Sequence, residues 1–140
     1  MSRHEYACHV RFSDVDVYGH VNNVKYFEYY QEARIAFVLG LHDGGLFESG
    51  SSHRQVVARI DVDYRRPILF RPEPYVVQTW VTRVGSSSYD LGCRIVDDAA
   101  AATVFSNAVV TLVAYDTSTQ RSRPLTDSER SRLEGVLEPA

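Results

Sequence analysis

Lysine is almost missing from this 140-residue chain: Lys25 stands alone against fourteen arginines. With a net charge of −3 and a pI near 5.9 there is no global excess of positive charge, which argues against a nucleic-acid partner and leaves only local arginine patches to meet a phosphate. No apolar run approaches the ~20 residues that a membrane-spanning helix needs, so no membrane partner is expected. The opening segment MSRHEYACHVRF alternates charged and apolar residues and lacks the basic-then-apolar order of a signal peptide; the expectation is a soluble, cytoplasmic protein. Cysteine is scarce too. Cys8 and Cys93 fall in strand-like segments with no disulfide or zinc spacing, and free, buried thiols are expected, with no metal site.

At 44% hydrophobic residues, the chain has enough apolar material for the core of one domain of ordinary size. No internal repeat or linker argues for a second, so residues 1–140 are read as one domain. YACHVRF (Tyr6 to Phe12) alternates as a first strand, and Ser13 to Gly19 reads as a loop. From Asn23 the period changes: Tyr26, Tyr29, Tyr30, Ala33, Phe37 and Leu41 recur at helical spacing, with Lys25, Glu28, Gln31 and Glu32 away from them. Asn22 or Asn23 suits the N-cap of this long helix. A flexible loop is expected at Gly44-Gly45 and SGSS. From residue 54 onward, QVVARIDVDY, PYVVQTWVTRV, SYDLGCRIVD and TVFSNAVVTLVAYD read as four more strands with short connections, favouring antiparallel pairing. In the tail, Thr126 and Glu129 match a capping box ahead of a short, charged helix, expected to be peripheral. The prediction is an α+β fold, a five-stranded antiparallel sheet wrapped on one long helix, with the core at about residues 5–116 and the tail at 117–140.

The chemistry is concentrated in DVDVYGH and the helix start. As a calcium loop the segment fails, because Tyr18 stands at position five and Lys25 where a bidentate Glu is required at position twelve. As a phosphatase aspartate pair, with Asp97-Asp98 as a second acidic motif, it lacks alternating strand-helix units. Taken singly, these residues are ordinary loop residues: aspartates that bond their own backbone, a glycine supplying a positive φ, a satisfied histidine. Taken together they place a carboxylate just ahead of a helix start. The amides there have no intrahelical acceptor and are natural donors to a developing oxyanion.

SDVDVYGHVNNVKYFEYYQEAR resembles the signature of hotdog-fold acyl-CoA thioesterases of the 4-hydroxybenzoyl-CoA thioesterase group, and GHVNNVKY is similar to a segment of plant acyl-ACP thioesterases. VDYRRPILFRPEPYVV and TRVGSSSYDLGCRIV resemble later strands of the same family, extending the likeness over roughly residues 5–116. The resemblance implies a single hotdog domain that hydrolyses the thioester of an acyl-CoA, or of an acyl-ACP, with no metal or organic cofactor, CoA being part of the substrate. It implies Asp16 as general base or nucleophile, the backbone N–H of Asn23 in the oxyanion site, and His20 as a further catalytic candidate. Tyr18 stands where the plant enzymes have an asparagine, so their Asp/Asn/His network is incomplete here. Asp14 is read as a loop organiser. Glu32 and Arg34 are read as a helix-face salt bridge or dimer contact.

Gly19, Tyr26 and Phe27 are substrate-binding candidates from the same motif. Arg65, Arg66, Arg83, Ser86 and Ser87 are candidates for the CoA phosphates, since guanidinium and hydroxyl groups suit them. The resemblance also implies a homodimer joined edge to edge, or a homotetramer, and an open five-stranded sheet does have edges that need covering. No G-x-S-x-G elbow supports a serine hydrolase. A hotdog enoyl-CoA hydratase and a non-catalytic acyl-CoA-binding module remain alternatives.

Overall fold

The structure is a computed structural model that describes residues 3–41 and 52–139; the loop expected at Gly44-Gly45 lies outside the described residues. The elements run β1 (His4–Cys8), a 3-10 turn (Phe12–Asp14), α1 (Lys25–Leu41), β2 (His53–Tyr64), β3 (Tyr75–Val84), β4 (Ser88–Val96), β5 (Val104–Asp116), β6 (Arg121–Ser122) and α2 (Asp127–Gly135). The strands form one antiparallel sheet in the order β1-β3-β4-β5-β2, with β6 added on β5. The five expected strands are present, and the two-residue β6 is a sixth. The first strand ends earlier than its alternation suggested. Cys8 pairs with Tyr75, the first residue of β3, so beyond Cys8 the chain has no strand to pair with and turns into the loop.

Helix α1 buries Tyr26, Tyr29, Tyr30, Ala33, Phe37 and Val38 against the sheet and leaves Glu28, Gln31 and Glu32 outside. Each large side chain taken out of water contributes roughly 1.5–3 kcal/mol. Tyrosine also needs a partner for its hydroxyl when buried. Tyr30 donates to Ser106 Oγ at 2.7 Å, and Ser106 in turn donates to the Asp63 carbonyl at 2.8 Å, tying α1 to both β5 and β2. Cys8 and Cys93 are free, buried thiols, as expected.

The tail is not peripheral. Leu125 and Leu133 join the buried core, and the Glu138 amide donates to the Val81 carbonyl at 2.7 Å, occupying β3 where β1 no longer covers it. The expected capping box forms, with Thr126 Oγ1 accepting from the Glu129 amide at 3.1 Å and Glu129 accepting from the Thr126 amide at 2.8 Å. The carboxylate of that box is internal instead of solvated, although Asp127 and Glu134 of the same helix are exposed: Glu129 also holds Arg123 at 2.7 and 3.0 Å, a pair that is almost buried. Sequence polarity alone cannot distinguish a solvated charged helix from one whose charges face each other.

The register sorts the loops into two groups. The ends of β1, β2 and β4 and the starts of β3 and β5 lie at one end of the sheet; the β3–β4 hairpin and the end of β5 lie at the other. No described helix is long and apolar enough to cross a membrane.

Burial pushes the Glu129 carboxyl up, but Arg123 and the Thr126 amide outweigh it and hold it at about 2. Since the folded value is depressed, its contribution is complete above the ordinary glutamate value and is lost as pH falls toward 2. Glu129→Gln should therefore lower stability at neutral pH by about 1–3 kcal/mol, screening included, and flatten the acid limb of thermal melts between about pH 5 and 2. An acid limb unchanged in the variant would show that the pair does not anchor the tail.

Candidate active site

The loop after β1 is built around Asp14, whose side chain is 0% exposed. Its Oδ2 accepts from the Tyr29 hydroxyl at 2.7 Å and from the Arg11 amide at 3.1 Å, and Arg11 Nη2 lies 3.0 Å from Oδ1. Burial raises the carboxyl, while Tyr29 and Arg11 together outweigh it and leave it below the usual aspartate range. The Asp14 carbonyl then accepts the Asn22 amide at 2.8 Å, closing the base of the loop, and Val15 bridges Val21 just above. The reading of Asp14 as a loop organiser holds, and its reach is longer than expected: through Tyr29 it anchors the loop to α1.

Asp16 follows on the next step, half-buried. Its Oδ1 accepts the Tyr18 amide at 2.9 Å and the His20 amide at 3.4 Å, and its own amide donates to the His20 carbonyl at 2.8 Å. Among the described residues, Oδ2 has no hydrogen-bond partner and is free to meet water or a carbonyl carbon. Gly19 turns the loop tip with φ +81° while donating to the Asp16 carbonyl at 3.0 Å, a backbone state that a side chain at this position would strain. His20 is held by its main chain, bridging Leu69; its ring makes no hydrogen bond among the described residues, to Asp16 or otherwise.

The helix entry separates one amide from its neighbours. Asn22 N–H goes to Asp14, Val24 N–H to Asn22 Oδ1 at 3.0 Å, and Lys25 N–H to the Asn22 carbonyl at 2.9 Å. Of these four consecutive amides, only that of Asn23 has no acceptor among the described residues. The bond to the Asn22 carbonyl polarises the same peptide unit whose N–H is free. Asn22 thus caps the first turn, and α1 proper starts at Lys25.

The other candidates separate by position. Tyr26 is buried, its ring edge-on to Tyr64 at 4.8 Å and its hydroxyl 3.5 Å from the Arg66 carbonyl; Phe27 beside it is 39% exposed. Arg65 and Arg66 line a cleft of about 420 Å³ with Arg94, Thr103 and Asn107, at the same end of the sheet as the loop. Arg83, Ser86 and Ser87 are at the opposite end. Arg83 is already committed to Asp90 at 2.9 and 3.1 Å, and the carbonyls of Ser86 and Ser87 accept from Leu125 and Ala114. Within one chain these three cannot share a ligand phosphate with Arg65 and Arg66, because the length of β3 intervenes. Among the described residues Glu32 and Arg34 form no salt bridge: Glu32 is exposed, whereas Arg34 is buried toward Tyr89 and Cys93, where burial lowers its pKa. Among the described residues no cluster of three His, Cys, Asp or Glu side chains could hold a metal ion.

Three participants were not singled out in the sequence: Tyr29, Tyr64 and Arg94. Only Tyr29 carried a signal, since a tyrosine in a buried stripe requires an acceptor for its hydroxyl, but the sequence does not single out Asp14 as that acceptor, because Glu28 and Glu32 lie nearer along the chain.

A sequence model of the thioesterase-like superfamily matches residues 10–133. The chain is 29% identical over 130 residues to the long-chain acyl-CoA thioesterase FadM of Escherichia coli (strain K12), covering 91% of this chain and 95% of that protein. A thioesterase from Thermus thermophilus, solved with coenzyme A and zinc, superposes with a TM-score of 0.77 at 30% identity, over 94% of this chain and 92% of that one. A thioesterase-superfamily protein from Jannaschia sp. CCS1 superposes at 0.87 with 21% identity, over 98% and 94% of the two chains, a likeness of fold.

Tyr29→Phe should cost about 1–3 kcal/mol in urea denaturation, because it leaves a buried carboxylate one donor short. A variant as stable as the parent would mean that Asp14 is not tied to the helix through this hydroxyl.

Proposed function

We propose that this chain, which belongs to the thioesterase-like superfamily and has its hotdog fold and thioester-hydrolase activity, cleaves acyl-CoA with Asp16 activating the attack and the Asn23 amide receiving the oxyanion. The observation that carries this reading is the Asn23 N–H at the helix entry, which has no acceptor among the described residues and is set in the same closed loop as a carboxylate oxygen that likewise has no partner there. In the ladder of that loop Asp16 faces His20, so Asn23 is three residues further along, on the order of 10 Å between Cα atoms. The side chain of Asp16 and a bound thioester fill that span.

Water attacks the carbonyl carbon and passes a proton to Asp16 Oδ2. The developing negative oxygen faces the Asn23 N–H, where a fixed donor near a helix N-terminus is most effective. The C–S bond then breaks with its electron pair on sulfur, the proton moves to the leaving thiolate, and free acid and CoA depart. If Asp16 instead attacks directly, the same oxygen and the same amide serve, with water releasing the acyl group in a second step. No step calls for a metal ion. Neither route needs the His20 ring, although it borders the loop.

The acyl-CoA substrate is supported by the FadM relative and by the CoA-bound Thermus structure. An acyl-ACP has no such support. Exposed Val24, Phe27, Leu69 and Phe70 offer apolar surface to the acyl chain, and the cleft of Arg65, Arg66 and Arg94 offers charge to the CoA phosphates. From Arg66 to Leu69, which bridges His20, is three residues of chain, about 10 Å if extended. That is a distance a pantetheine arm spans easily. Two buried free thiols fit a reducing, cytoplasmic location.

No residue of β2 is buried, although it is a twelve-residue edge strand carrying Val56 and Val57 at more than 40% exposure. Such an edge calls for a partner, and a second copy pairing along it gives the dimer. Val57→Asp should convert dimer to monomer in sedimentation; a parent that sediments as a monomer would exclude this edge.

Thiol release from a panel of acyl-CoAs, an enoyl-CoA included, tests the activity. Asp16→Asn should lose about a hundredfold or more in kcat with the fold intact. Joint Arg65→Ala and Arg66→Ala should raise KM for acyl-CoA about tenfold while leaving acyl-pantetheine, which has no nucleotide phosphates, unaffected. Full activity in Asp16→Asn would remove the proposed chemistry, and binding without release would favour a non-catalytic module.

A further inference from the structure

Tyr64 closes β2 at the sheet edge and is 46% exposed, yet its hydroxyl donates at 3.0 Å to the carbonyl of Asn23, forty-one residues away in sequence. That carbonyl is bypassed by the helix. Phe27 N–H, its i+4 donor, bonds the Val24 carbonyl instead, at 3.2 Å. The Tyr64 ring is itself fixed, edge-on against Tyr26, whose hydroxyl is bonded to the Arg66 carbonyl. Burial raises the Tyr64 phenol above its ordinary value, so it remains a donor at any ordinary assay pH.

The N–H and C=O of Asn23 belong to two successive peptide planes that meet at its Cα. The first plane is held by Lys25 N–H on the Asn22 carbonyl. The second is held by Asn22 Oδ1 on Val24 N–H and by Tyr64 on the Asn23 carbonyl. With both planes pinned, the N–H vector keeps a fixed aim. Releasing the carbonyl lets the second plane rock and the first follow through the shared Cα. A preorganised oxyanion donor is valuable because it needs no reorganisation during the reaction.

We infer that Tyr64 is a positioning residue for hydrolysis: its phenol clamps the Asn23 peptide so that the free amide stays aimed at the oxyanion. The inference rests on the Asn23 amide being that donor. Removing a whole oxyanion donor costs about 100- to 1000-fold in kcat, so loosening one while leaving it present should cost less, about tenfold. The clamp acts on the developing charge rather than on bound substrate, so KM should stay within about twofold.

The test is steady-state hydrolysis of lauroyl-CoA by the full-length wild type, Tyr64→Phe and Asp16→Asn, with thermal melts and sedimentation of each. In addition, the amide resonance of Asn23 in ¹⁵N-labelled protein reports the donor directly, independent of turnover. The expected result for Tyr64→Phe is a roughly tenfold fall in kcat, unchanged KM, melting temperature and oligomeric state, and an exchange-broadened Asn23 amide. Tyr64→Phe with wild-type kcat beside an inactive Asp16→Asn overturns the clamp and leaves the proposed activity standing. A rise in KM at constant kcat also overturns it, making the phenol a substrate contact. An Asp16→Asn as active as wild type removes the underlying reading instead, whatever Tyr64→Phe does. Should Tyr64→Phe be destabilised, a sharp, unshifted Asn23 amide in the folded fraction still counts against the clamp.

Discussion

A carboxylate with no solvent contact is costly unless its charge is paired and hydrogen-bonded, and Asp14 finds its ion pair with Arg11 and its hydrogen bonds to Oδ2 only in one arrangement of its surroundings. Tyr29 must come from the helix, Arg11 from the chain leaving β1, and both must converge on the same group. Its main chain does as much as its side chain, because the Asp14 carbonyl receives the Asn22 amide. One residue therefore fixes where the loop leaves the sheet, where it returns and how it is attached to α1. The positions of Asp16 and Asn23 follow from those three constraints. Among the described residues neither makes a long-range bond through its own side chain, so both inherit their placement from Asp14 and from the helix entry.

The local part of this arrangement was legible in the sequence. Aspartate, glycine and asparagine ahead of an aromatic stripe announce a loop, a cap and a buried helix, because those preferences depend on neighbours a few residues away. What was not legible depends on pairs far apart in the chain. The first strand was read through Phe12 because its alternation continues; only the start of β3 at Tyr75 ends it at Cys8. Arg65, Arg66 and Arg83 look alike in sequence, and only strand register assigns the first two to the end with the loop and the third to the other. Arg83 further has Asp90 across the hairpin, a partner that composition cannot reveal. Tyr64 has no local feature that would distinguish it from any other edge tyrosine.

The sheet is thus polarised along its strands. At one end, loops carry the uncommitted carboxylate oxygen, the uncommitted amide and the arginine cleft. At the other, Arg83 is neutralised by Asp90 and Arg123 by Glu129, and hydrogen bonds are turned inward to hold the tail against β3 and β5. The contrast is physical rather than compositional, since both ends contain Arg, Asp and Ser. A group spent on folding is unavailable to a ligand, and the proposed site occupies the end where polar groups are left over.

The stretch from Tyr64 to Leu69 gathers several of these roles in six residues. Tyr64 reaches the Asn23 carbonyl, Arg65 and Arg66 line the cleft, the Ile68 carbonyl accepts the Val21 amide, and Leu69 bridges His20. Pro67 restricts the turn between the cleft and the loop to a narrow range of backbone angles. The segment begins at the last residue of the exposed edge strand and is anchored to the core by fully buried Ile68. Pairing of that edge with a second copy would therefore act on the proposed oxyanion amide through a single hydroxyl, without any change in the helix. A proposed dimer edge and a proposed oxyanion amide that share one tyrosine are coupled by geometry: whatever orders the end of β2 also orders the peptide proposed to stabilise the transition state.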